Sequence, residues 1–170
     1  MVFPRIISLS TLYLLGFFTC VGLLAAAYYF EYVMFLDPCP LCIVQRLVTL
    51  GIGVGCLMAF LLRSYSTGQL ISLGFIALVS AFGIWVADHH VWIQNLPADE
   101  VPACGPDLAY MVDTLPLAEL ISTVLRGSGS CADISWSFLG LSMPEWMRIW
   151  FAGFTGVAVA CFFFLARKKN

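Results

Sequence analysis

The chain has 170 residues, 61% of them hydrophobic and 11% charged, with a formal net charge of −2. A soluble globular domain carries about 25% charged residues, so this composition excludes an ordinary water-soluble enzyme and makes a lipid bilayer the solvent. No nucleic-acid partner is expected.

Crossing about 30 Å of hydrocarbon takes about 20 predominantly apolar residues. Four stretches meet that length, at about 9–30, 41–62, 70–87 and 146–166. The first outruns the apolar core of a signal sequence and has no small-residue cleavage site, so it reads as a span. The second opens with Pro40 in its first turn and holds the one charge well inside a span, Arg46. The stretch 63–69 that follows is too short to be more than a loop between antiparallel helices.

The sizeable region outside the spans is 88–145, too short and too poor in strand pattern for an independent soluble enzyme. Within it Pro116 precedes Leu117, Leu120, Ile121, Val124 and Leu125, one apolar face of a short helix ended by Gly127. Such a helix lies on the membrane surface or packs over the mouth of the bundle. Ser142-Met143-Pro144-Glu145 has the spacing of a capping box and starts the fourth span. The expected fold is therefore an all-α membrane protein. A single domain over 1–170 forms a four-helix transmembrane bundle, with a long extracytoplasmic loop carrying a short interfacial helix.

Orientation follows from the basic residues near the span ends. Arg5, Arg63, Arg167, Lys168 and Lys169 lie on one side, and all ten acidic residues lie on the other. Both termini and the 63–69 loop are thus expected in the cytoplasm. Segments 31–40 and 88–145 are expected to face the opposite compartment.

Seven cysteines divide into two kinds. Cys20, Cys56 and Cys161 fall inside spans, where a thiol behaves as a small hydrophobe. Cys39, Cys42, Cys104 and Cys131 all fall on the extracytoplasmic side, where disulfides persist, and an even count there reads as two pairs. Cys39-Pro40-Leu41-Cys42 places a C-x-x-C motif at a helix N-terminus, whose positive dipole end favours thiolate. So small a loop constrains an unfolded chain little, so redox activity is a better reading than a structural staple. On spacing alone, Cys104 and Cys131 read as a structural bridge. A Cys2His2 zinc site from Cys39, Cys42, His89 and His90 is disfavoured, because adjacent histidines do not easily face one ion from a helix end; no metal is expected.

Arg46 follows Cys42 by four residues and Cys39 by seven, which puts all three on one helix face. A charge this close to hydrocarbon is a functional-site candidate, against the plainer reading that it snorkels or pairs with Glu31 or Asp37. A membrane-embedded dithiol needs a two-electron acceptor, and a lipid-soluble one is a quinone. Arginine beside such an acceptor stabilises negative charge developing on it. His89 or His90 offers a second donor or a proton.

Three runs then carry a resemblance: Phe30-Glu31-Tyr32-Val33-Met34, Pro38-Cys39-Pro40-Leu41-Cys42 with Gln45-Arg46, and Cys131-Ala132 followed by Trp136 to Trp146. Together with four spans in the same order, they resemble the disulfide bond formation protein B (DsbB) family over most of the chain. The resemblance implies a bacterial inner-membrane, quinone-dependent thiol oxidase. It implies that Cys104 exchanges with a periplasmic thioredoxin-fold oxidase of the DsbA type, Cys131 with Cys39, and that Cys42 contacts a quinone, ubiquinone or menaquinone, drawn from the membrane pool. That recasts Cys104 and Cys131 as a shuttle. Arg46 matches the family's quinone-contacting arginine, His90 (or, less well, His89) its histidine near the ring, and Glu31 an acidic position ending the first helix. Asp37 departs from the pattern, since an acid two residues before Cys39 disfavours thiolate there. Gly127-Ser128-Gly129-Ser130 beside Cys131 is expected to give the loop the motion that exchange requires. Two rivals are a reductive relay like a four-helix quinone-linked epoxide reductase, whose C-x-x-C comes late in the chain, and a non-catalytic protein with structural disulfides.

Overall fold

The computed structural model describes residues 8–97, 99–103 and 108–169. Among these, four helices are long and apolar enough to cross a membrane: α1 (Leu9–Tyr32), α2 (Pro40–Leu61), α3 (Ser66–Gln94) and α6 (Met143–Lys169). Two short helices, α4 (Leu108–Thr114) and α5 (Leu117–Arg126), lie between α3 and α6. After a 3-10 turn at Gly129–Cys131, a two-stranded antiparallel hairpin pairs β1 (Ser137–Phe138) with β2 (Leu141–Ser142).

Local chemistry explains where the helices begin. Ser8 caps α1, its hydroxyl accepting from the Thr11 amide at 3.2 Å. Cys39 caps α2 with its sulfur, which accepts from the Cys42 amide at 3.4 Å, and Pro40 fills the first turn, where an N–H has no partner anyway. At α6 half of the expected capping box forms. The Glu145 carboxylate accepts from the Ser142 amide at 2.6 Å, but the Ser142 hydroxyl turns away to donate to Gln94 Oε1 at 2.9 Å. The box is thereby traded for a tie between α6 and α3.

α1 packs on α2, α2 on α3 and α3 on α6, while α1 and α6 close the ring loosely. Close approach at the centre depends on Gly83. A Cβ there would stand 2.7 Å from Val48 and 2.9 Å from Phe151. Polar contacts add to the packing, as expected where hydrocarbon offers no alternative partner. Thr155 donates to Ser80 Oγ at 2.8 Å between α6 and α3, and Tyr13 donates to Gln69 Oε1 at 3.1 Å near the basic end.

Two differences from the expected elements bear on function. First, α3 continues to Gln94 instead of stopping at Ala87. Its 29 residues span about 43 Å, some 13 Å more than the hydrocarbon needs. The extension is stable because each polar residue in it has a partner. Asp88 pairs with Arg148 at 3.1 Å, His89 with the Arg126 carbonyl at 3.0 Å, and His90 with Gln45 at 3.1 Å. Second, the loop holds the hairpin, whose two-residue turn has Leu139 at φ 53° and Gly140 at φ 79°. Both values are positive, as a type I′ turn requires. The Trp146 indole donates to the Phe138 carbonyl at 3.1 Å and fastens the hairpin to α6.

The expected short helix is α5. Leu125 packs on the core beside Leu41, Val86 and Ile93, while Leu117 and Ile121 stay exposed. One end therefore docks on the bundle mouth, and the rest presents its apolar face outward.

Candidate active site

The N-terminus of α2, the far end of α3 and the 3-10 turn meet at one place. Because α3 overshoots, His90 and Ile93 stand beside Cys39 and Leu41, and Cys131 completes the cluster, fully buried. Gly127 makes this approach possible. It has φ 80°, and a Cβ there would fall 2.6 Å from Ile93, 3.2 Å from Leu41 and 3.7 Å from the Cys131 sulfur. Only glycine adopts this conformation without strain and leaves that space.

Of the four cysteines expected on the extracytoplasmic side, Cys39, Cys42 and Cys131 lie in this cluster and Cys104 lies outside the described residues. The Cys39 and Cys42 sulfurs are 2.9 Å apart, and Cys39 Sγ is 3.7 Å from His90 Nε2. Cys39 packs beside Cys131 in the same cluster, and that proximity separates the two thiols in acidity. Cys131 is pulled down to about 6, first because the Cys39 thiol donates to it and further because amide groups of Ser128 and of Leu41, at the start of α2, point at its sulfur. Cys39 is pushed up, first by holding that proton against Cys131 and Cys42 and then by burial. These surroundings favour negative charge on Cys131 over Cys39 in the reduced protein.

Sequence reasoning assigned no role to Gln45. It is buried, and its side-chain amide sits 3.1 Å from His90 Nδ1. With the amide donating, the imidazole carries its own proton on Nε2, facing Cys39. The one available signal was position: a polar residue three after Cys42, on the cysteine face of a span. His89 is turned elsewhere, stacked between Trp85 and Trp92 and bonded to the Arg126 carbonyl, so of the two histidines His90 faces the thiols.

Arg46 forms an ion pair with Glu31, as the plainer reading of its charge anticipated. It also donates to the Ala27 carbonyl at 3.3 Å and lies 5.3 Å from the Tyr28 ring centre. These contacts place it in the wall of a cavity of about 360 Å³ between α1, α2 and α6. Cys42, Gln45, Arg46 and His90 form its polar side, with Asp37 and Asp133 at the edge. Leu23, Ala27, Phe30, Met147 and Trp150 form the apolar side, and Trp136 closes over Phe30 at 5.0 Å between ring centres. A flat, mostly apolar molecule carrying oxygen acceptors fits such walls, because a few polar groups interrupt a lining that is otherwise mostly hydrocarbon and aromatic.

Comparison with known proteins identifies the family. A family profile described as disulfide bond formation protein DsbB matches residues 9–161. A protein named disulfide bond formation protein B from Nitrosococcus oceani is 48% identical over 153 residues, covering 89% of each chain. One of the same name from Stutzerimonas stutzeri is 40% identical over 164 residues, 96% of this chain and 99% of its own. Another, from Marinobacter nauticus, is 47% identical over 139 residues, 81% of this chain and 82% of its own. With the match running from the start of α1 into α6, and relatives aligned over most of their length, the chain belongs to the disulfide bond formation protein B family of multi-pass membrane oxidoreductases.

Proposed function

We propose that the protein oxidises a periplasmic DsbA-type thioredoxin-fold oxidase and passes the two electrons to a membrane quinone, from the bacterial inner membrane with both termini in the cytoplasm. The observation that carries this reading is the convergence of Cys131, Cys39 and Cys42 beside a cavity with Arg46 in its wall.

The chain's own residues account for the thiol chemistry. A partner thiolate attacks Cys104 of an oxidised Cys104–Cys131 pair, and the electron pair of the broken bond leaves on Cys131. Cys131, with the Ser128 and Leu41 amides beside its sulfur, attacks Cys39 of the Cys39–Cys42 disulfide. That bond breaks and the electron pair leaves on Cys42. The second partner thiolate then attacks the sulfur joined to Cys104, releasing the partner as a disulfide. Cys104 attacks Cys131 to restore the loop pair, and Cys39 leaves as a thiol. His90 Nε2–H, oriented by Gln45, is placed to stabilise charge on Cys39 as it leaves. Cys42 faces the cavity. A quinone bound there supplies the acceptor for two electrons and two protons. Arg46, held by Glu31, offers a fixed positive charge where negative charge grows, an arrangement effective in a water-poor site.

The test follows quinone absorbance in detergent after adding a reduced DsbA-type protein. Wild type should consume one quinone per partner disulfide formed. Cys42→Ser should abolish consumption, and Arg46→Ala should slow it by about 10²-fold, the scale of losing one charge-stabilising donor. No consumption by wild type with either ubiquinone or menaquinone overturns the reading.

A further inference from the structure

Three of the side chains that line the cavity, Cys39, Cys42 and His90, also have the composition of a metal site. Cys39 Sγ, Cys42 Sγ and His90 Nε2 all lie within 4.8 Å of one another. We propose that the reduced protein binds one borderline-soft divalent cation of the zinc class on Cys39, Cys42 and His90, and that the bound ion locks the dithiol out of exchange. The inhibitory consequence rests on the relay described above, whereas the binding itself does not.

Geometry supports the donor set. A tetrahedral zinc with Zn–S near 2.3 Å and Zn–N near 2.0–2.1 Å needs about 3.8 Å between sulfurs and about 3.6 Å between sulfur and nitrogen. The Cys39–His90 separation is already 3.7 Å. The sulfurs, at 2.9 Å, must part by about 0.9 Å, within reach of one side-chain rotation at Cys42. Two thiolates and an imidazole select a zinc-class ion over magnesium or calcium, which prefer all-oxygen shells. The disfavoured arrangement, with neighbouring histidines sharing one ion, is not needed here. His89 is occupied by Trp85, Trp92 and Arg126, and His90 serves alone.

The surroundings complete the site. Gln45 holds His90 Nδ1 at 3.1 Å, and turning its amide end for end lets the carbonyl oxygen accept from Nδ1–H, freeing the Nε2 lone pair for the metal. Arg46 does not oppose the ion with an unpaired charge, because Glu31 neutralises it, and Asp37 and Asp133 edge the same cavity. The fourth position opens to the cavity and takes water. Binding is redox-neutral: one divalent ion displaces two thiol protons and leaves two metal–sulfur bonds, with the imidazole binding uncharged. Oxidation to the Cys39–Cys42 disulfide removes both thiolates and abolishes the site.

The experiment titrates Co²⁺ into the reduced full-length protein in detergent, with quinone removed, and reads the thiolate-to-cobalt charge-transfer band and the intensity of the tetrahedral d–d bands. Saturation at one ion per chain is expected, with displacement by Zn²⁺ and no band in the oxidised protein. Cys42→Ser should abolish the band. Gln45→Leu should weaken binding by about 10–100-fold, the usual effect of losing a group that orients a ligating histidine. Replacing Cys20, Cys56 and Cys161 together by serine should leave the band intact. A weak octahedral spectrum, binding that persists in the oxidised protein, or a band insensitive to Cys42→Ser overturns the site. The oxidised wild type provides this control without any substitution that perturbs folding. Quinone reduction assayed on the same sample, with and without Zn²⁺, separates the two readings. Reduction without cobalt binding overturns the metal site alone, and cobalt binding without reduction overturns the relay alone.

Discussion

At the scale of single residues, the contact between Cys39 and Cys131 sets the chemistry. A thiol and a thiolate share one proton there, and the Cys39 donor, helped by the Ser128 and Leu41 amides, favours the charge on Cys131. Cys131, at about 6 against an ordinary 9.0, has its folded value depressed. Its thiolate therefore stabilises the reduced fold fully above about pH 9 and loses that contribution as the pH falls through about 6. Thiolate absorbance of the reduced protein should include a step near pH 6 that belongs to Cys131. That step should vanish in Cys131→Ala and move to higher pH in Cys39→Ala, where the thiol donor is gone. A titration unchanged in both variants would place the low-titrating thiol elsewhere. Cys39, Cys42 and Arg46 stood out in the sequence because charge and C-x-x-C spacing are rare near hydrocarbon, whereas the place of Cys131 beside Cys39 could not be read from spacing, which suggested a structural bridge to Cys104. Gln45 did not stand out, because an amide inside a span reads equally well as helix-to-helix glue. The choice between His89 and His90 also needed three dimensions, since adjacent positions differ only in which way the helix turns them.

At the scale of elements, the loop from α5 to α6 is where expectation and structure part most. The run Gly127-Ser128-Gly129-Ser130 was expected to supply motion, and Gly127 also does the reverse: it lets the 3-10 turn seat against Ile93 and Leu41. Gly127→Ala combines a left-handed backbone position with a Cβ at 2.6 Å from a buried side chain, so it should cost about 1–3 kcal/mol. The unfolding midpoint of the reduced protein should fall by several degrees, with Gly22→Ala, which meets nothing within 4 Å, as the neutral comparison. Equal midpoints for the two variants would mean that the turn is not held there. The spans themselves were legible from hydropathy, but the far end of α3 was not. Asp88, His89 and His90 end an apolar window, and only partners distant in sequence (Arg148, Arg126 and Gln45) show why the helix continues. The hairpin escaped notice because its strands are two residues each and Leu139 stands where asparagine is usual in such a turn.

At the scale of the whole molecule, four spans joined in sequence leave α1 and α6 loosely closed, and the site cavity opens between them, on the side where the acidic loop lies. The orientation drawn from the basic residues makes a direct prediction. A reporter that needs an oxidising compartment should be inactive when fused after Lys169 and active when inserted next to Pro102; the reverse pattern would invert the protein in its membrane. In the proposed relay electrons pass from the long loop to α2 through a bond between Cys131 and Cys39, and that bond is the measurement to make. Peptide mapping under non-reducing conditions, on mildly oxidised protein carrying both Cys42→Ser and Cys104→Ser, should recover Cys39 joined to Cys131 as the predominant disulfide. Recovery of both as free thiols, or of Cys131 joined to Cys20, Cys56 or Cys161, would contradict the account.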